Sequence, residues 1–225
     1  MGALLDEGCG SLYDFRVANI GKNGRLAIFG SGGMGRELYD VAVRAMPGRE
    51  IVFVTDHPNG PILGSSAIGP DELLREDELI IAVGDSHHRK TVADRFVGRS
   101  FANLHSCNSL VSPSAQIGEG SVVCDFSVVN SSTVIGRHFQ GNVFSQVSHD
   151  CRIGDFVTLS PRASVNGWVE IGDGTLIGAG AIIRNGTPTK RLVIGERATV
   201  AMGAVVVGDV AAGTTVMGVP ARERS

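Results

Sequence analysis

Two hydrophobic rhythms divide the chain. Between Arg25 and about Asn103, short apolar runs alternate with helical periodicity. LAIFG (26–30) reads as a buried strand, SGGMG (31–35) as a glycine turn, RELYDVAVRAM (36–46) as an amphipathic helix and EIVFVTD (50–56) as a second strand. PDELLRED (70–77) predicts a capped short helix, LIIAVGD (79–85) another parallel strand and HHRKTVADRFV (87–97) another amphipathic helix. Strands alternating with helices imply a small parallel sheet.

Near Leu110 the helical pattern stops and a period of six begins. One column runs Val111, Ile117, Val123, Val129, Ile135, Gly141, Val147, Ile153, Leu159, Val165, Ile171, Ile177, Ile183, all aliphatic except Gly141. Four places after each stands a small residue, with Phe139, Val157 and Val169 as the departures. The pattern predicts short strands that each point one aliphatic inward, small residues at the corners, and coils stacked about 4.8 Å apart as paired strands are. A sandwich or barrel would instead show period two with turns every 8–12 residues. The register breaks at NGTPTKR (185–191), where five extra residues fall between Ile183 and Ile194, which predicts an outward loop. The reading is therefore a small α/β Rossmann-like domain (25–104), then a parallel β-helix (105–225), preceded by an extension at 1–24 that has little periodicity.

Composition agrees with this reading and removes several functions. The 31 glycines and 5% aromatics suit a fold of many tight turns with few bulky fillers. A formal charge of -3 gives no basic surface for nucleic acid. Cys9, Cys107, Cys124 and Cys151 lack any CxxC spacing, so neither zinc nor a disulfide is expected. No apolar run reaches the length of a membrane span, and MGALLDEGCG carries acids where a secretory signal carries bases, so a cytoplasmic protein is expected.

Candidate chemistry falls in three places. FGSGGMG follows a strand and opens a helix, so the amides of Gly30, Ser31, Gly32, Gly33 and Met34 could cradle a diphosphate. Asp56, 21 residues beyond Gly35, could bond a ribose or base, and Gly84 and Asp85 end a strand at the same sheet edge. A true dinucleotide domain is the competing reading, but about 80 residues is short for one and the repeats offer a dehydrogenase no catalytic set. His149, third in the hexad VSHDCR, lies outside both inward columns and should face outward, with Ser131 one coil below and Gly167 one coil above. The notch over Gly167 could admit a thioester carbonyl, and Asp150 could orient the imidazole, a natural general base near neutral pH. Spacing alone slightly favours a surface turn histidine, with Asp150 bonding a turn amide. His138 has no comparable motif. Trp168, one coil above Asp150, could wall a site or pack on a neighbouring chain. Gly178, Gly195 and Gly203 could let a pantetheine arm lie against backbone, with Lys190, Arg191 or Arg222 meeting phosphates, yet each glycine could equally serve a corner.

Residues 111–221 resemble the hexapeptide-repeat acyltransferases. From Arg25 on, the chain resembles the branch of sugar N- or O-acetyltransferases that carries an N-terminal nucleotide-binding domain, through FGSGGMG, IAVGD, VSHDCRIGD and GVPAR. That resemblance implies a left-handed β-helix, acetyl-CoA as co-substrate, a homotrimer with active sites between neighbouring β-helices, His149 as catalytic base and Asp150 as its helper. It implies N-acetylation of a nucleotide-linked 4-amino-dideoxy sugar, such as GDP-perosamine or a UDP-4-amino sugar, with O-acetylation of a sugar or sialic acid hydroxyl as the alternative. Met34 stands where that branch often has a histidine. A metal-dependent hydratase shares the β-helix but needs three convergent histidines, and the repeats contain only His138 and His149. A non-catalytic scaffold is the remaining rival.

Overall fold

The structure, a computed structural model, describes residues 24–224. Residues 1–23 of the expected extension, Cys9 included, lie outside the described residues. The first domain contains β1 (Leu26–Phe29), α1 (Gly33–Ala45), β2 (Ile51–Val54), β3 (Ala67–Ile68), β4 (Glu78–Ile81), α2 (Ser86–Arg95) and β5 (Ser100–Phe101). The strands form one parallel sheet in the order β3-β2-β1-β4-β5. Leu26, Ile28, Val52, Phe53, Leu79 and Ile80 are almost wholly buried, as continuous apolar runs in a parallel sheet covered on both faces should be.

One element differs from the sequence reading. PDELLRED forms only a short 3-10 turn, Pro70–Glu72, before Leu73 becomes extended. Tertiary bonds prevail over helical propensity here. The Asp77 carboxylate takes the Leu74 amide and pairs with Arg25 at 2.7 Å, while the Leu73 and Leu74 carbonyls accept from Arg99. The two-residue strands β3 and β5 at the sheet edges were not foreseen from the sequence.

The second domain is a three-faced prism. Its coils begin at Leu104–His105, six residues before the first repeat legible in sequence, because His105 pairs with Val123 and occupies the aliphatic column. Faces of six, five and eight strands are parallel except for the last strand, Arg222–Glu223. Partners lie 18 residues apart in the lower coils, as in Val129↔Val147 and Ile135↔Ile153. Across the loop at 185–191 the offset becomes 23, Ile171↔Ile194, so the five extra residues leave the register intact. The aliphatic column forms one continuous core from Val123 to Val216. Its exception, Gly141, and the large corner residue Phe139 are a single adjustment. A Cβ on Gly141 would lie 2.9 Å from the Phe139 ring, so the missing side chain makes room for the buried phenyl.

The first domain packs against the eight-stranded face and its flanking corners. Arg44 pairs with Asp125, Gln140 donates to the Ile81 carbonyl, and Ser86 donates to Gly174. At the centre lies Arg89, fully buried, which donates to the carbonyls of Val83, Gly84, His138 and Phe156 and to the side chains of Gln140 and Thr158. Burial without a contacting carboxylate pulls its pKa down to about 10.

Candidate active site

His149 and Asp150 form a corner between the six-stranded and five-stranded faces. The strand Gln146–Val147 precedes them and Arg152–Ile153 follows. Asp150 adopts the left-handed conformation (φ 59°), which turns the chain, and its amide bonds the Ser131 carbonyl one coil below. The imidazole Nδ1 lies 2.8 Å from an Asp150 carboxylate oxygen, with both side chains open to solvent. A carboxylate on Nδ1 favours the tautomer in which Nε2 is the accepting nitrogen.

The sequence reading placed an open notch above His149 at Gly167. The structure corrects this, because the imidazole itself fills that space. A Cβ on Gly167 would stand 2.6 Å from Cε1 and 2.7 Å from Nε2 of His149. Gly167 thus seats the His149 imidazole. Trp168, the next residue, meets the imidazole edge-on with centroids 6.3 Å apart, and the Arg191 guanidinium lies 5.3 Å from the indole centroid. Arg191 also donates to the Asp150 carbonyl. Sequence reasoning gave Arg191 only a possible phosphate role, since nothing in its spacing shows that the loop turns back on the corner.

The remaining candidates fall into separate groups. Gly30 (φ 113°) and Gly35 let the glycine loop close tightly, since a Cβ on Gly35 would lie 1.9 Å from the Gly30 carbonyl oxygen. Gly32 and Gly33 face open space, and Gly32 caps α1 with no side chain covering the first-turn amides, which suits an anion. Ser31 belongs to that loop, while Met34 packs against the first domain's core. Asp56 is held in an ion pair with Arg95 at 2.7 Å. Asp85 caps α2 by accepting the His88 amide, and the Gly84 carbonyl accepts from Arg89 and Thr158. Both therefore do structural work at the sheet edge.

Among the acetyl-CoA candidates, a Cβ on Gly178 or Gly195 would meet the next coil's backbone at 2.5 and 2.4 Å, so stacking demands those glycines. Gly203 (φ 67°) faces open space. Lys190 is exposed in the loop, and Arg222 lies on the final strand. His138 is buried between Phe101 and Phe156 on a different corner, and burial pushes its pKa down to about 4. Among the described residues, no three His, Cys, Asp or Glu side chains converge as metal ligands. Nor is any helix among them long and apolar enough to cross a membrane.

Comparison with known proteins gives the family. Residues 25–96 match the PglD N-terminal domain family and residues 144–185 match the bacterial transferase hexapeptide (six repeats) family. A GDP-perosamine N-acetyltransferase of Escherichia coli O157:H7 is 36% identical over 208 residues, covering 87% of this chain and 94% of the relative. WeeI from Acinetobacter baumannii AYE superposes with a TM-score of 0.86 at 34% identity, covering 90% of this chain and 100% of that one. The acetyltransferase domain of PglB from Neisseria gonorrhoeae FA1090, solved with acetyl coenzyme A, gives 0.84 at 34% identity over the same shares. PerB from Caulobacter crescentus, solved with CoA and GDP-perosamine, gives 0.80 at 30% identity, covering 90% of this chain and 98% of PerB. The chain is accordingly an acyltransferase, a left-handed β-helix enzyme of the hexapeptide-repeat family that carries a PglD N-terminal domain.

Proposed function

We propose that the chain transfers an acetyl group from acetyl-CoA to the amine of a nucleotide-linked 4-amino-dideoxy sugar, with His149 as general base. The carrying observation is the His149–Asp150 pair, seated on Gly167 with its Nδ1 already committed to a carboxylate. The imidazole Nε2 takes a proton from the sugar nitrogen as that nitrogen attacks the thioester carbonyl. The carbon–nitrogen bond forms, the carbon–sulfur bond breaks, and the leaving thiolate recovers the proton. Asp150 holds the imidazole and balances the charge it gains. GDP-perosamine, the substrate named for the Escherichia coli relative and the ligand solved with PerB, is the first substrate to try.

The site is divided between faces of the prism. The first domain covers the eight-stranded face, whereas His149 lies on the corner opposite it. The glycine loop and the base of one chain therefore sit on different sides of the prism, and a second copy must complete the site. The six-stranded face ending at His149 suits such contact, for Leu110 and Ile182 stand exposed along it and Phe126, Phe144 and Met202 along its leading edge. A cyclic trimer closes that contact. The buried thiols Cys124 and Cys151 fit a reducing cytoplasm.

The test is turnover of GDP- and UDP-amino sugars with acetyl-CoA by wild type, His149→Ala and Asp150→Asn. Loss of about 10²–10⁴-fold in the histidine variant is expected, and undiminished turnover rejects the assignment. Resistance of the product to mild alkali separates an amide from the ester that O-acetylation would give.

A further inference from the structure

Three corner residues on the edge that carries His149 have left-handed backbone, Ser132, Asp150 and Trp168, and the Asp150 turn creates a structural need. The coil-to-coil ladder here uses the Asp150 amide with Ser131 and the Trp168 amide with the His149 carbonyl. The Asp150 carbonyl turns out of that ladder and requires a donor elsewhere. Arg191 supplies it. The loop's outer end is pinched shut by Thr187 and Lys190, which exchange backbone bonds of 2.8 and 3.2 Å, so the chain returns to the prism at Arg191. Its guanidinium carbon then lies 5.3 Å from the Trp168 ring centroid, within cation–π range, and the indole and imidazole rings meet in a T-shaped arrangement.

Capping alone does not account for this arrangement. At another corner Arg89 takes the carbonyls of two other left-handed residues, His138 and Phe156, and is buried while doing so. Arg191 is only half-buried, and it binds both neighbours of the base: the backbone of the residue that holds Nδ1 and the ring that walls the imidazole. We propose that Arg191 is a positioning residue that fixes the His149–Asp150 pair from outside, through the Asp150 carbonyl and the face of Trp168. This rests on the reading that His149 is the base.

Trp168 is the chain's one tryptophan, so its emission, excited where tyrosine does not absorb, reports on the cluster in the intact protein. A protonated imidazole quenches a neighbouring indole, which makes emission against pH a gauge of how closely the two rings are held. Arg191→Ala is expected to lower kcat about 10- to 100-fold while changing KM for either substrate less than about threefold, and to at least halve the pH-dependent quenching. Arg191→Lys keeps the charge without the planar fork, so it is expected to resemble the alanine variant. Wild-type kcat in Arg191→Ala, undiminished quenching, or full recovery by lysine each overturns the proposal. His149→Ala separates the two claims. It should abolish the pH-dependent quenching whatever its turnover. Normal turnover in that variant removes the premise of a histidine base and the proposal with it, whereas an inactive His149→Ala beside a wild-type Arg191→Ala overturns the positioning role alone.

Discussion

Replacing Arg89 with leucine tests what joins the two domains. The guanidinium reaches six acceptors, four carbonyls and two side chains, at 2.7 to 3.1 Å, and has no exposed surface. Leucine fills part of the space but leaves the His138 and Phe156 carbonyls buried without a donor, at about 1–3 kcal/mol each. Val83 and Gly84 lie nearer the surface and can recruit water. Against this, the variant no longer dehydrates a cation, a cost visible in the lowered arginine pKa. The balance is a loss of about 3–5 kcal/mol, or roughly 10 °C in Tm for a chain of this size. Arg89→Lys, with at most three donors, should fall between leucine and wild type. The assay is urea and thermal unfolding at fixed protein concentration, because association shifts apparent stability. A leucine variant within about 1 kcal/mol of wild type, well below the usual cost of a buried unpaired group, would show that the six bonds contribute little and refute the reasoning.

Gly167→Ala should lower kcat by about 10²-fold, since its methyl would claim the space of the imidazole and a displacement near 1 Å has that effect; circular dichroism and melting should change little, and wild-type kcat would contradict the seating role. Burial holds the pKa of His105 and of His138 down to about 4 from an ordinary 6.5, so the unfolded chain binds more protons between those values. Stability should then fall as pH drops from 6.5 toward 4, by at most about 3 kcal/mol per imidazole, and level off below; His105→Leu should flatten that slope in melts at stepped pH. The same substitution should add about 1–3 kcal/mol even at pH 7, where neutral His105 leaves a buried Nε2 with no hydrogen-bond partner among the described residues. Gly35→Ala should weaken nucleotide-sugar binding or disrupt the first domain, because its methyl would overlap the Gly30 carbonyl; equilibrium dialysis with the nucleotide sugar reads this.

The prism was legible because its rule is local and repeated. One aliphatic in six points inward, and partners 18 apart follow from three hexads per coil. The first coil is not legible because His105 occupies the column that aliphatics fill elsewhere. The 3-10 turn at Pro70 was overestimated because Arg25 and Arg99, distant in sequence, bind its carbonyls and Asp77. At the site, the outward face of His149 follows from its place in the hexad, and Asp150 follows by adjacency. What the notch holds depends on a side-chain rotation, which a column of letters does not carry. Arg191 lies 41 residues from Asp150 and reaches it only through the fold of an irregular loop. Asp56 has the spacing of a ribose contact and Asp85 lies at the same sheet edge; the ion pair of one with Arg95 and the cap that the other forms on α2 are tertiary and local details that spacing does not carry.

The unchanged pairing of Ile171 with Ile194 across five surplus residues has a further consequence. A strand in this architecture recognises its neighbour below and takes no account of how much chain was spent reaching it. A side chain can therefore be delivered to any vertex by lengthening the excursion there, as the segment that carries Arg191 to the Asp150 carbonyl illustrates. Shortening or swapping such excursions between relatives should reshape what the enzyme accepts while its barrel of aliphatics melts as before.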